Sequence, residues 1–242
     1  MSQRGAWPPS PVSDAIDGPS RGSEALDSVN KYRPVHFIIM RSTADLDRLC
    51  DTACSYGASA AAALDARDVV LDPRVRLKCM VPQCANYGRN LMCPPNVMDP
   101  ETFSSVLERY SVAILVQYAI PMDTEFMKRF EGSSIEDIYD SGEYKERMAR
   151  SEREFQDLLG RLESDALGLG YRFAAAFTGG PCRLCDECVG QGSGKACRHP
   201  FRSRPSMEAM GIDVYLTAKN AGLPFEIPPR DRPVWNGLLL LE

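Results

Sequence analysis

Apolar residues change their spacing several times along this chain, and each change marks an element. Val35–Met40 (VHFIIM) is a short unbroken apolar run, the pattern of a buried strand. Ser42 then stands as a helix cap. Leu46 and Leu49 carry helical spacing into the alanine-rich stretch Ser55–Ala66, so one long helix is expected there. Asp68–Leu71 reads as a strand or its end, and Arg74–Lys78 alternates with period two, as a half-buried strand does. Asp99 and Pro100 form a helix start, with Asp as cap and Pro in the first turn, continued by Phe103, Val106, Leu107 and Tyr110.

Ser111–Ile120 (SVAILVQYAI) is the most strand-like run and is expected at the centre of a sheet, ended by Pro121. From Glu136 the chain becomes highly charged, with Met148, Phe155, Leu158, Leu159 and Leu162 at helical spacing. This predicts a long amphipathic helix whose charges form a solvated face, stopped by Gly168 and Gly170. Tyr171–Phe177 reads as a second inner strand. Helices are expected over Arg204–Met210 and Asp213–Asn220, with Glu208 and Asp213 as caps, and closing strands over Leu223–Ile227 and Val234–Leu241. The alternation predicts an α/β or α+β single domain, a mixed sheet flanked by helices, over residues 34–242. Residues 1–33, rich in Pro, Ser, Gly and Asp and without periodicity, read as a disordered tail.

Two stretches carry cysteine instead of a hydrophobic period. The first, CMVPQCANYGRNLMCPP, sets Cys79, Cys84 and Cys93 as C-x4-C-x8-C. The second, PCRLCDECVGQGSGKACRHP, sets Cys182, Cys185, Cys188 and Cys197 as C-x2-C-x2-C-x8-C. Three thiols separated by two residues each can fold round one corner of a compact object, and bacterial ferredoxins use a similar run for a [4Fe-4S] cluster. Each loop is expected to leave the carboxyl end of a strand and to lead into a helix, so the architecture repeats. If those two strands are parallel neighbours, the loops face one another at the sheet edge where ligands gather.

Composition sharpens this reading. A chain of 242 residues with 44% hydrophobic residues can build an ordinary core, and a net charge of -5 argues against a nucleic-acid binder. No apolar run reaches the roughly 20 residues of a membrane span. The first residues contain no apolar core of a secretory signal, so a cytoplasmic address is expected. Nine cysteines in a reducing compartment point to metal or redox chemistry rather than disulfides, and with only His36 and His199 present the ligands must be mainly sulfur. Soft thiolates select zinc, Cu(I) or iron–sulfur centres. Cys50 and Cys54, one helical turn apart, read as small apolar core side chains rather than ligands.

The two loops supply seven thiols, one short of the eight that two complete cubanes need. Three arrangements follow: one four-cysteine cluster beside a three-cysteine centre with an open iron; a crossed pattern in which Cys197 or Cys54 serves the other centre; or one centre built from both loops. Structural zinc usually draws a pair of ligands from each of two knuckles, a pattern the triple C-x2-C-x2-C fits less well. Arg183, Lys195, Arg198, Arg202 and Arg204 outnumber Asp186 and Glu187 around the second loop. Such cations would raise a cluster's reduction potential, bind an anionic substrate, or face water. Lys78, Tyr87, Arg89, Asn90 and His199 are the nearest candidates for acid–base or binding roles. GQGSGK at Gly190–Lys195 lacks phosphate-loop spacing, and its glycines suit close backbone approach to a cluster.

The segments VRLKC, CANYGRNLMCPP, GGPCRLCDEC, CRHPFRSRPSMEAMGIDV and AGLPFE resemble a family of predicted metal-binding proteins of unknown function, from residue 35 onward. The resemblance implies a metal site at Cys79, Cys84, Cys93, Cys182, Cys185, Cys188 and Cys197, and adds no substrate. The expected function is a [4Fe-4S] redox protein passing electrons to a partner protein or small molecule. The alternatives are an enzyme with an open-iron cluster handling non-redox or sulfur chemistry, and a zinc-stabilised interaction module.

Overall fold

The computed structural model describes residues 43–122, 124–226 and 233–242. The expected tail, the Val35–Met40 strand and the Ser42 cap lie outside the described residues, as does the end of the Leu223–Ile227 strand.

Helix α1 (Thr43–Ser55) is shorter than its alanine-rich continuation suggests. Gly57, at φ +107°, turns the chain out of the helix. The Gly57 N–H donates to the Cys54 carbonyl and the Ala58 N–H to the Ala53 carbonyl, the two bonds of a Schellman stop. The alanines beyond form strand β1 (Ala60–Asp65), paired antiparallel with β2 (Val112–Ala119) from Ala60 opposite Gln117 to Asp65 opposite Val112. Helix preference for alanine is below about 1 kcal/mol per residue, and a full ladder on a buried neighbour outweighs it. β2 pairs in turn with β4 (Val234–Leu241), which pairs with the short β3 (Ala175–Phe177), giving the order β1-β2-β4-β3.

The class is therefore mixed α and β in its α+β form. The expected mixed sheet is instead antiparallel in every ladder among the described residues, with parallel pairing only at the isolated bridge Thr178 to Ser206. β2 and β3 do run in the same direction, joined through the long helix α6 (Gly142–Gly168), but β4 lies between them, the arrangement of a split β-α-β unit.

The Arg74–Lys78 strand is also corrected. That segment is a 3-10 turn over Pro73–Arg76 running into helix α2 (Leu77–Met80). Asp72 accepts the Arg74 N–H and Pro73 opens the turn, the same chemistry that starts α3 (Pro100–Leu107), where Asp99 accepts the Thr102 N–H at 2.9 Å. Asp-Pro sets a helical start, and this outweighs the alternation of Val75 and Leu77. Only the second cysteine loop therefore leaves a strand end directly. α4 (Thr124–Lys128) and α5 (Ile135–Asp140), the latter opened by a Ser134–Asp137 capping box, precede α6. Near the end of the chain α7 (Val214–Asn220) is capped as expected by Asp213, which accepts the Leu216 N–H.

Both faces of the sheet are covered. Ile114, Val116, Leu239 and Leu241 face α1 and α6, meeting Leu49, Ala53, Phe155, Leu159 and Leu162. Ala113, Leu115, Leu238 and Leu240 face the other layer, meeting Phe103, Leu107, Met207, Met210, Ile212 and Ala218. This is why β2 and β4 read as unbroken apolar runs although they are antiparallel: neither side of the sheet meets water. Gly237 brings α6 close to β4, because a Cβ there would stand 2.6 Å from Leu159 Cδ1 and 2.8 Å from Phe155 Cζ.

Candidate metal centre

The second cysteine loop begins where β3 ends. Thr178 is tied on both sides to the returning chain: its N–H donates to the Pro205 carbonyl and its carbonyl accepts from the Met207 N–H. The loop between them is gripped by one stripe of α6. Glu152, Gln156 and Glu163, spaced by four and seven residues on one side of the helix, reach the loop and the chain that closes it. Glu152 accepts from Arg183 Nε at 2.9 Å, and Glu163 accepts from Arg204 Nε at 2.7 Å while also taking the Ala176 N–H. Gln156 Nε2 donates to Cys182 Sγ at 3.4 Å, and its Oε1 accepts the Arg183 N–H at 3.4 Å. Off that stripe, Asp157 accepts from Arg202 at 2.6 Å. Burial raises the Glu152 carboxyl above its ordinary range, more than the Arg183 charge lowers it.

All four thiols of this loop, Cys182, Cys185, Cys188 and Cys197, line one cavity with Leu184, Val189 and His199. Its free interior is about 20 Å³, room for roughly one water. Amide donors face these sulfurs. The Leu91 N–H points to Cys188 Sγ at 3.4 Å and the His199 N–H to Cys197 Sγ at 3.3 Å, in addition to Gln156 on Cys182. Donors to sulfur stabilise the thiolate form that a metal binds. Among the described residues no group of three or more His, Cys, Asp or Glu side chains is arranged to hold a single metal ion.

The first loop forms the adjoining wall. Asn90, Leu91 and Met92 line the same cavity, and buried Asn90 ties the loops together. Its Nδ2 donates to the Cys182 carbonyl at 3.0 Å while its Oδ1 accepts the Met92 N–H at 2.9 Å. Gly190, at φ +76°, packs so closely that a Cβ would lie 3.3 Å from the Arg89 carbonyl oxygen. Cys79, Cys84 and Cys93 are near enough to feel one another electrostatically, and Cys93 also feels Cys182. Burial, reinforced by Cys84, Cys79 and Cys182, pushes the Cys93 thiol up to about 12, and burial likewise raises Cys79 and Cys182. The expected face-to-face loops are therefore present, by loop packing rather than by paired parallel strands.

A family model, described as a predicted metal-binding protein (DUF2284), matches residues 62–241. The chain belongs to that family. No curated protein and no solved structure matches it. The DUF2284 match contains the seven cysteines of both loops and leaves Cys50 and Cys54 outside. Cys50 is half-buried against the α1–α6 core, and burial pushes its thiol up to about 11, whereas Cys54 is exposed.

Within the DUF2284 region three sequence-level readings change. The arginines of the second loop do not stand ready for an anionic substrate, since Arg183, Arg202 and Arg204 are each paired with an α6 carboxylate and Arg198 donates to the Glu187 carbonyl. For the same reason the charges of α6 are not all a solvated face. Sequence reasoning passed over Glu152, Gln156 and Glu163; their four- and seven-residue spacing, in step with Phe155, Leu159 and Leu162, is the signal that marks them. Glu208 caps no helix: it begins a 3-10 turn, Glu208–Met210, that has no side-chain cap bond.

Proposed function

We propose that this DUF2284 protein is an iron–sulfur protein in which Cys182, Cys185, Cys188 and Cys197 hold one [4Fe-4S] cluster and Cys79, Cys84 and Cys93 hold a second centre. The lining of a single cavity by all four thiols of the C-x2-C-x2-C-x8-C loop carries the reading. The residues fit the group: four soft donors, amide N–H groups on Cys182, Cys188 and Cys197, and a backbone made pliable by Gly190, Gly192 and Gly194, all at positive φ. A cluster there supplies reversible one-electron transfer.

The chain's own residues set the conditions for that chemistry. Gln156 and the Leu91 and His199 amides hold partial positive charge on the sulfurs and favour the reduced state. Arg183, Arg202 and Arg204, anchored on α6, keep the loop from spreading. Asn90 fixes the separation of the two loops, so the proposed route to a redox partner protein or small substrate passes between adjacent thiol sets. His199 and Met92, on the cavity wall, are placed to shape access.

Anaerobic purification with iron, zinc and acid-labile sulfide analysis tests the reading. Iron with matching sulfide and broad absorbance in the violet is expected. Stoichiometric zinc without sulfide, persisting after anaerobic reconstitution, would overturn it.

A further inference from the structure

Exposed hydrophobic side chains are concentrated at one place. Among the described residues ten large ones stand open, and four of these, Leu77, Met80, Val81 and Met98, are between 40% and 68% exposed. All four belong to the stretch that carries the first cysteine loop. A single exposed apolar residue is ordinary, but a group of them marks a contact surface.

α2 gathers three of the four. Leu77, Met80 and Val81 follow the i, i+3, i+4 spacing of one helical turn, with the Val81 N–H donating to the Leu77 carbonyl at 2.8 Å. Met98 joins them from the far end of the loop, because Arg76, the residue before Leu77, donates from Nη1 to the Met98 carbonyl at 3.5 Å. Cys79 is on the turn itself and Cys84 is exposed just beyond it. Whatever covers this face therefore comes close to the first-loop thiols.

Charge decides what covers it. Residues 73–98 hold Arg74, Arg76, Lys78 and Arg89 and no Asp or Glu, in a chain of net charge -5. Arg74 is paired with Asp72, but Arg76, Lys78 and Arg89 form no ion pair among the described residues. Two copies meeting through this patch would set like charges together. α2 has four residues, too short for the apolar face of a helix that lies in a bilayer surface. Three unpaired cations in an acidic chain are a weak footprint for nucleic acid. Carboxylates on a protein partner, by contrast, would meet Arg76 and Lys78 around an apolar centre, the polar rim and apolar core of a protein interface.

We propose that the face built from Leu77, Met80, Val81 and Met98, edged by Arg76 and Lys78, docks an acidic electron-transfer protein. Redox encounters bury less than about 1,200 Å² and are steered by opposite charge, which suits a patch of this size. That the partner carries electrons rests on the iron–sulfur reading above.

The test titrates the full chain, purified anaerobically, with two acidic carriers, a plant-type ferredoxin and a flavodoxin, and with basic cytochrome c as the opposite probe. Three double variants accompany the wild type. Arg76→Glu with Lys78→Glu reverses the charge, and Leu77→Ser with Met80→Ser removes the apolar centre. Arg172→Glu with Phe173→Ser makes the same kinds of change before β3, at the end of that strand away from the second cysteine loop. Every substituted side chain except Arg76 is exposed, so melting should stay near wild type. At least one acidic carrier is expected to bind at low salt and to weaken about tenfold or more in 0.2 M salt. Both patch variants should weaken it about tenfold or more, the Arg172/Phe173 variant should not, and charge reversal should gain cytochrome c binding. Binding of neither acidic carrier at low salt, or equal weakening in all three variants, would overturn the docking. So would self-association, or capture by phosphatidylserine vesicles or a duplex oligonucleotide, that the patch variants abolish while no carrier binds. Iron and sulfide are measured on the same samples. Their presence with no carrier bound would overturn the docking alone, whereas zinc without sulfide would overturn the proposed function and with it the redox character of the partner.

Discussion

Asn90 in the first cysteine loop donates from Nδ2 to the carbonyl oxygen of Cys182, the first cysteine of the second, at 3.0 Å. The contact spans 92 residues of sequence, and Asn90 itself is buried. Asn90→Ala leaves the Cys182 carbonyl and the Met92 N–H without partners, so stability should fall by about 1–3 kcal/mol. Denaturant unfolding of the metal-free protein measures it, and a change below about 0.5 kcal/mol would show that the link is not structural.

Gln156 reaches Cys182 Sγ with one end of its amide and the Arg183 N–H with the other. Gln156→Leu keeps the volume and removes both bonds, together with the one that Nε2 donates to the Arg202 carbonyl at 3.5 Å. Metal held by the second loop should then be lost to a chelator about 10–100 times faster, the usual effect of removing a group that orients a ligand. An unchanged rate would detach Gln156 from the site.

The α6 ion pairs differ in burial. Arg204 and Glu163 keep side-chain exposures of 18% and 11%, whereas Arg202 and Asp157 keep 55% and 45%. Arg204→Met should cost about 3–5 kcal/mol by stranding the buried Glu163 charge. Arg202→Met should cost less than about 1 kcal/mol, since solvent screens the exposed pair. Equal losses in thermal or denaturant unfolding would contradict this ranking.

Metal uptake should release protons. The Cys93 thiol, pushed up to about 12 mainly by burial, and the raised Cys79 and Cys182 thiols are protonated in the metal-free protein at neutral pH. Each must lose its proton to become a ligand, so affinity rises with pH and falls on acidification. Because these thiols titrate above the usual range near 8.5, affinity should still be climbing at pH 9 rather than levelling there. Chelator competition with zinc as probe across pH 6–9 would show it, and a flat profile would argue against these thiols as ligands.

Gly237 has no room for a side chain, with Leu159 Cδ1 and Phe155 Cζ each under 3 Å from where a Cβ would lie. Gly237→Ala should destabilise by about 1–3 kcal/mol through overpacking between β4 and α6. Chemical denaturation measures it, and a neutral result would mean that α6 shifts freely on the sheet. Such a shift would also loosen its hold on the second cysteine loop.

Several elements were legible in the chain because their causes are local. Asp99-Pro100 and Asp213 carry their own caps. The apolar runs of β2 and β4 and the stripe of α6 need no partner to be seen. The cysteine spacing of both loops, and the likeness to a metal-binding family, also stand on the letters alone. The misread elements were those decided by partners. Ala60–Asp65 became strand because β2 was there to pair with it, and Arg74–Lys78 became helical because the Asp72 cap outweighed two alternating apolar residues.

What the chain determined by itself is therefore the inventory: seven loop thiols, two loops, the apolar strands β2 and β4, the stripe of α6, and the caps at Asp99 and Asp213. Only the tertiary structure decided which residues serve those thiols. Asn90 meets Cys182, and Gln156 meets the same residue from α6, each across a long separation in sequence. Hydrogen bonds and charge act over a few ångströms of space rather than along the chain. Spacing can mark a residue such as Gln156, but it does not name the partner that residue meets until the sheet has folded and its two faces have been closed.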